Sequence, residues 1–180
     1  MRKRCLVIVI AEDERQEMLA RKYLRQQGLG TREIRFRSSP SGRGSAEQWV
    51  RKTFVDETRV YRSRQAQTKL IVTIDADTNT IQYRFRQLDE ALIDNGRERI
   101  GAAEQIARLV PKRNVETWIL CLNGEAVNEE TDYKQTRGDW GELTASAAQT
   151  LFQYTRPNAQ LPLCIDSLRR GVTELKRLRF

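Results

Sequence analysis

The sequence predicts an α/β protein with a mostly parallel central sheet flanked by helices, and further helices toward its C-terminal end. Three observations predict it. Two uninterrupted apolar, β-branched runs, residues 5–11 and 70–74, read as strands buried on both faces. Segments of helical periodicity alternate with these and with shorter strand-like runs, the pattern of parallel strands joined by crossover helices. Both core runs also end in acid, the first in Glu12, Asp13 and Glu14, the second in Asp75 and Asp77.

Taken in order, residues 5–11 form a central strand. From Asp13 or Glu14 to Gln27 the apolar positions Met18, Leu19, Tyr23 and Leu24 recur at helical spacing, and Gly28 is placed to end that helix in a left-handed conformation. Residues 31–37 alternate, with Ile34 and Phe36 on one side and charges on the other, as in a strand near a sheet edge. Residues 38–45 form a Ser/Gly loop that reads either as a flexible connection or as a backbone able to approach a phosphate closely. Ser45 and Gln48 make a capping box for a helix through Trp49, Val50, Phe54 and Val55. The basic residues Arg59, Arg62, Arg64 and Lys69 precede the second core strand.

After that strand, Ile81, Phe85, Leu88, Ala91 and Leu92 mark a helix that ends near Gly96. Residues 106–110 read as a short strand stopped by Pro111, and 115–122 as a short helix carrying Glu116, Trp118 and Ile119. The polar stretch 123–141 reads as an exposed loop or insertion. Helices over 143–154 and 167–178 flank a proline-containing connection at 157–162. The whole chain, 1–180, is expected to form one domain, with a core over 4–122 and a helical extension over 142–180.

Composition narrows the chemistry. The 180 residues are 39% hydrophobic and 31% charged, as in a globular protein with a substantial core. A formal charge of +8 favours a polyanionic partner, because lysines and arginines displace counterions condensed on nucleic-acid phosphates. No apolar run approaches the ~20 residues that span a bilayer, and MetArgLysArg leads into a short strand rather than a signal sequence. A cytoplasmic protein with no membrane association is expected. Cys5, Cys121 and Cys164 are widely spaced among apolar neighbours and are expected to be buried free thiols. The chain has no histidine, which excludes Ser-His-Asp and Cys-His nucleophiles, HNH-type nucleases and nearly every catalytic zinc site. Catalysis is left to carboxylates, Lys, Arg, Tyr or a hard metal.

Asp75 and Asp77 are two residues apart, so at a strand-to-loop transition both reach toward one cation. They also suit a plain turn, with Asp77 capping the next helix. The acids that end the other core strand favour the cation, since clustered carboxylates are unfavourable without a counter-charge. A glutamate ending the first core strand, a helix, and an apolar strand ending in Asp-x-Asp together resemble the TOPRIM domain of topoisomerases, primases and overcoming-lysogenization-defect nucleases. The resemblance spans residues 5–122. ProLysArgAsnValGluThrTrpIle, from Pro111, is similar to a segment that supplies a further acid in small TOPRIM-like proteins of bacterial anti-phage defence.

The resemblance implies a Rossmann-like TOPRIM domain that binds Mg²⁺ or Mn²⁺ through Glu12, Asp75, Asp77 and Glu116. Such a metal would polarise a phosphodiester oxygen and activate a water. The expected activity is a metal-dependent endonuclease acting on DNA or RNA, an effector of anti-phage defence controlled by a partner ATPase, with homo-oligomers possible. Two departures bear on it: the glycine usual after the glutamate is replaced by Asp13, which leaves Glu14 as a rival to Glu12, and no topoisomerase tyrosine domain is present. Lys112 or Arg113 is placed in sequence to offset charge in the transition state, with plain surface solvation as the alternative role for either. Arg43, Arg62, Arg64, Arg113, Arg169 and Arg170 are candidates for binding nucleic-acid phosphates. Trp49 and Trp118 read as core, and Trp140 as a candidate for base stacking.

Two other classes remain open from the sequence. A phospho-receiver-like signalling domain would use Glu12 and Asp13 as its acid pair and Asp75 as phospho-acceptor, although the signatures expected after the acceptor are missing. A TOPRIM-like binding module would keep the acids for structure alone.

Overall fold

The structure is a computed structural model that describes residues 6–40, 45–64, 67–160 and 165–180. Arg43, Cys5, Cys164 and part of the proline-containing connection lie outside the described residues. Four parallel strands form one sheet in the order β2-β1-β3-β4, with β1 Leu6–Ala11, β2 Ile34–Ser38, β3 Thr68–Thr73 and β4 Ile106–Leu109. The α/β reading with a parallel central sheet therefore holds. β1 and β3 pair in register from Leu6 opposite Thr68 to Ala11 opposite Thr73. Residues 7–11 of β1 and all of β3 are buried, as their unbroken apolar runs require.

Helices cover both faces. Alternate side chains of the strands point to opposite sides, so Val7, Val9, Ile71 and Ala107 enter one apolar cluster while Ile8, Ile10, Leu70 and Val72 enter the other. The first cluster is closed by α1 Glu14–Gln26, α4 Val115–Leu122, α5 Trp140–Thr155 and α6 Asp166–Lys176. The second is closed by α2 Ala46–Ser63 and α3 Ile81–Asp94. The C-terminal helices are thus a layer on the same core as β1 and β3, where the sequence suggested an appended extension.

Local chemistry sets the element ends as expected. Asp13 caps α1 by accepting from the amides of Arg15 and Gln16, Ser45 caps α2 from Gln48, and Gly28 takes φ of 83° just past α1. β2 is the open edge, its Arg35 and Arg37 exposed, and residues 31–33 form a 3₁₀ turn ahead of it. The other edge is blocked: Glu174 of α6, itself buried, accepts from the backbone amide of Arg108 on β4 at 3.0 Å. One expectation fails. Cys121 is disulfide-bonded rather than a free thiol, a pairing that wide sequence spacing does not signal.

Candidate functional site

The strand order determines where a ligand crevice opens. From β1 the chain moves outward to β2, then returns past β1 to β3, and α1 and α2 fall on opposite faces. The carboxyl ends of β1 and β3 therefore flank the topological switch point, the position at which open α/β sheets bind ligands. Glu12 follows β1 and Asp75 follows β3 at this point. The Asp75 amide donates to Glu12 Oε2 at 2.9 Å, which joins the two strand ends directly.

Gln16, in the first turn of α1 and 1% exposed, spans the same pair. Its Oε1 accepts from the Glu12 amide at 2.9 Å and its Nε2 donates to Asp75 Oδ1 at 2.8 Å. Asp13 is occupied as the cap of α1, and Glu14 is exposed on that helix beside a surface hollow that Glu17 and Arg21 also line. Of the two rivals, Glu12 is the one brought to Asp75.

The Asp-x-Asp turn is held from below by Arg84 of α3, 5% exposed. Its Nε donates to the Asp75 carbonyl at 2.9 Å, and its guanidinium reaches Asp77 Oδ2 at 3.3 Å and Glu47 at 2.9 Å. Asp77 does not cap α3; Thr80 does. The Ala76 amide donates to the Pro111 carbonyl, and Asp77 forms an isolated bridge with Arg113. Both bridge residues have left-handed φ, 52° and 68°, which costs energy for a residue with a Cβ. This docking of the turn onto residues 111–113 brings in α4, and with it Glu116, 3% exposed. Glu116 Oε1 pairs with Arg15 at 2.6 Å, while its Oε2 is buried with no hydrogen-bond partner.

The loop from Asn123 to Asp139 supplies the remaining member. Lys134 Nζ lies 4.0 Å from Asp75 Oδ2. Asp132 holds this segment down, accepting at Oδ1 from Asn114 Nδ2 at 2.8 Å and from the Lys134 amide at 2.9 Å.

The electrostatics follow from burial and crowding. Burial, then the charges of Glu12 and Asp13, pushes the Asp75 carboxyl well above its ordinary value, against the opposing influence of Lys134 and Gln16. Burial also raises Glu12; the Asp75 amide partly offsets it, and Asp77 and Asp13 add to it. For Lys134 burial favours the neutral amine, but Asp75, Glu116, Asp77 and Asp13 outweigh it and raise its pKa.

The donors suit a hard divalent cation in kind: four oxygen-bearing acids, two with raised proton affinity and one with an unpartnered buried oxygen. As they lie, no three acids or cysteines among the described residues stand close enough to hold an ion together. Cationic side chains of the protein itself pair with them, Arg15 with Glu116, Arg84 with Asp77 and Lys134 with Asp75.

Other predicted residues are placed differently. Lys112 lies 3.6 Å from Glu130, and Arg113 lies 3.6 Å from Asp132, so both brace the loop. Arg62 and Arg64 lie at the end of α2, beside the amino edge of the sheet. There Arg62 binds Glu104 and the carbonyls of Glu98 and Arg99, a structural clamp rather than a free phosphate contact. Arg169 pairs with Asp166, and Arg170 pairs with Glu174 at 3.6 Å and lies over the Phe85 ring. Trp118 is core, as expected, and Trp140 is covered by the Arg15 guanidinium at 4.2 Å. Sequence reasoning missed Gln16, Arg15, Arg84 and Lys134. Their partners lie on other elements, so no local pattern marks them.

No protein-family model matches this chain, and no curated protein or solved structure matches it. Function is therefore argued from the site's own residues.

Proposed function

We propose that this protein is a divalent-cation-dependent hydrolase of nucleic-acid phosphodiesters. The observation that carries the reading is the junction of Glu12 and Asp75 at the β1/β3 switch point, where the Asp75 amide donates to Glu12 Oε2 and burial raises the proton affinity of both acids, with Asp77 on the same turn and Glu116 on α4. An Mg²⁺ or Mn²⁺ ion held by these four acids would polarise the scissile phosphate and lower the pKa of an attacking water. Gln16 orients Asp75 and fixes its spacing from Glu12. Arg84 holds the turn that presents Asp77. With no histidine in the chain, the proton released in the attack would pass to solvent or to a side chain other than imidazole. The net charge of +8 is in keeping with a phosphate-bearing polyanionic substrate.

The resemblance to small TOPRIM proteins supports a defence role, in the cytoplasm, with a partner ATPase governing the nuclease. No helix among the described residues is long and apolar enough to cross a membrane. The strand order and the acids at the ends of β1 and β3 are also those of a phospho-receiver. Asp75 is 2% exposed with Oδ1 held by Gln16, however, which favours a buried electrostatic role over that of an accessible phosphoryl acceptor.

The test is cleavage of duplex DNA, single-stranded DNA and tRNA in Mg²⁺, Mn²⁺ or EDTA, with the partner ATPase added in a parallel series. Cleavage that needs metal and disappears in Asp75→Ala and Glu12→Ala, both still folded by circular dichroism, is expected. Full activity in both variants, or in EDTA, would sink the proposal.

A further inference from the structure

We propose that Lys134 is an internal counter-cation occupying the place of the divalent ion, so that loading the site requires Lys134 and its loop to withdraw. The inference rests on the functional reading above and deepens it, adding a means of regulation. Gln16 occupies Asp75 Oδ1, so Oδ2 is the oxygen left for a cation, and Lys134 Nζ faces that atom at 4.0 Å. The separation exceeds that of a hydrogen-bonded ion pair, about 2.7–2.9 Å, so the cluster's field holds the ammonium without a direct bond. Glu116 Oε2, buried and unpartnered, is a second acceptor still open to a cation.

The other two cations of the site are less free to leave. Arg84 is buried and has several partners on different elements, and Arg15 is on α1 with its guanidinium between Glu116 and Trp140. Lys134 is 43% exposed at its side chain and belongs to a loop. The tether is specific: Asp132 Oδ1 joins Asn114 at the start of α4 to the Lys134 amide, with Arg113 3.6 Å from its other oxygen. A divalent ion at Oδ2 would repel the ammonium, and the Asp132 contacts are what hold Lys134 against that repulsion. The chain therefore neutralises its own acids until a cation, or a partner that lifts the loop, takes over.

The experiment is calorimetric titration of the full chain with Mn²⁺, comparing wild type with Lys134→Met, Lys134→Arg, Asp132→Ala and Asp75→Asn. Lys134→Met is expected to bind Mn²⁺ about ten-fold more tightly, the order expected for removing one like charge from a shared site. Lys134→Arg, which keeps the charge, should match wild type, and Asp132→Ala should tighten binding while leaving Lys134 in place. Hydrogen exchange over residues 126–139 should quicken when Mn²⁺ binds wild type. Wild-type binding with no gain in Lys134→Met and Asp132→Ala would overturn the inference and leave the metal-dependent reading standing. No Mn²⁺ binding by any of the proteins would overturn both.

Discussion

Gln16 Nε2 donates to Asp75 Oδ1 at 2.8 Å while Gln16 Oε1 accepts from the Glu12 amide, so one buried side chain sets the spacing between the ends of β1 and β3. Replacement by leucine keeps the volume but orphans a buried carboxylate oxygen and an amide. Each orphaned group costs about 1–3 kcal/mol, so Gln16→Leu should lower unfolding free energy by at least 1 kcal/mol in urea titration. Gln16→Glu adds a carboxylate beside one already hard to ionise. Its larger loss at neutral pH should shrink at acid pH, where the pair shares a proton.

Asp75 is retained against the interest of the fold. Its pKa is raised in the folded state, so between the ordinary carboxylate value and the raised one the native protein binds the proton that the unfolded chain has lost. Stability therefore falls as pH rises through that window, and the penalty is fully present above it. Asp75→Asn removes the penalty while its amide oxygen still accepts from Gln16. The variant should be more stable than wild type at pH 7 by about 1 kcal/mol, with the gain vanishing near pH 4, and catalytically dead. Equal or lower stability at pH 7, read by thermal unfolding across pH, would contradict this.

Arg84 is the opposite case. Its guanidinium joins the Asp75 carbonyl, Asp77, Gln87 and Glu47 from a position 5% exposed. Removing one partner of a buried charge network typically costs 3–5 kcal/mol, so Arg84→Met should lose about 3 kcal/mol or more. Arg84→Lys should recover little, because one ammonium cannot reproduce the fork that meets partners on the turn after β3, on α2 and on α3. Denaturant midpoints of the two variants measure the difference.

Legibility in the sequence followed the range of the interaction. Unbroken β-branched runs revealed β1 and β3, alternation revealed β2 as an edge, and Ser45 revealed the start of α2, since each depends on neighbours in the chain. Asp75, Asp77 and Glu12 were legible for the same reason, as acids closing apolar runs. Gln16 and Arg84 were not, because a polar residue on an amphipathic helix shows its buried partner only once the helix is docked. Lys134 is 59 residues from Asp75 in a polar loop, and long-range contacts such as the Asp132–Asn114 bond bring it over the site. Lys112 misled through nearness in sequence to Glu116; the chain passes through left-handed Arg113 before α4 begins, and Lys112 lies against Glu130.

Gly171 of α6 tests the layer behind the acids. A Cβ there would lie 2.2 Å from Cη2 and 2.8 Å from Cζ3 of Trp118, distances no side chain tolerates. The ring cannot easily yield, being 1% exposed with its Nε1 donating to Ser167 Oγ at 2.7 Å, and Ser167 is tied in turn to Glu129. Helix propensity alone would make Gly171→Ala stabilising by about 1 kcal/mol. Overpacking of this kind costs about 1–3 kcal/mol, so the net change should be a loss. Trp118 is two residues beyond Glu116 on α4, and movement of its ring would shift that acid against Arg15. Gly171→Ala should therefore weaken Mn²⁺ binding as well as stability, and Trp118→Leu in the same chain should restore part of the stability by vacating the space. A stability gain in the single variant would show that α6 stands farther from α4 than this packing requires.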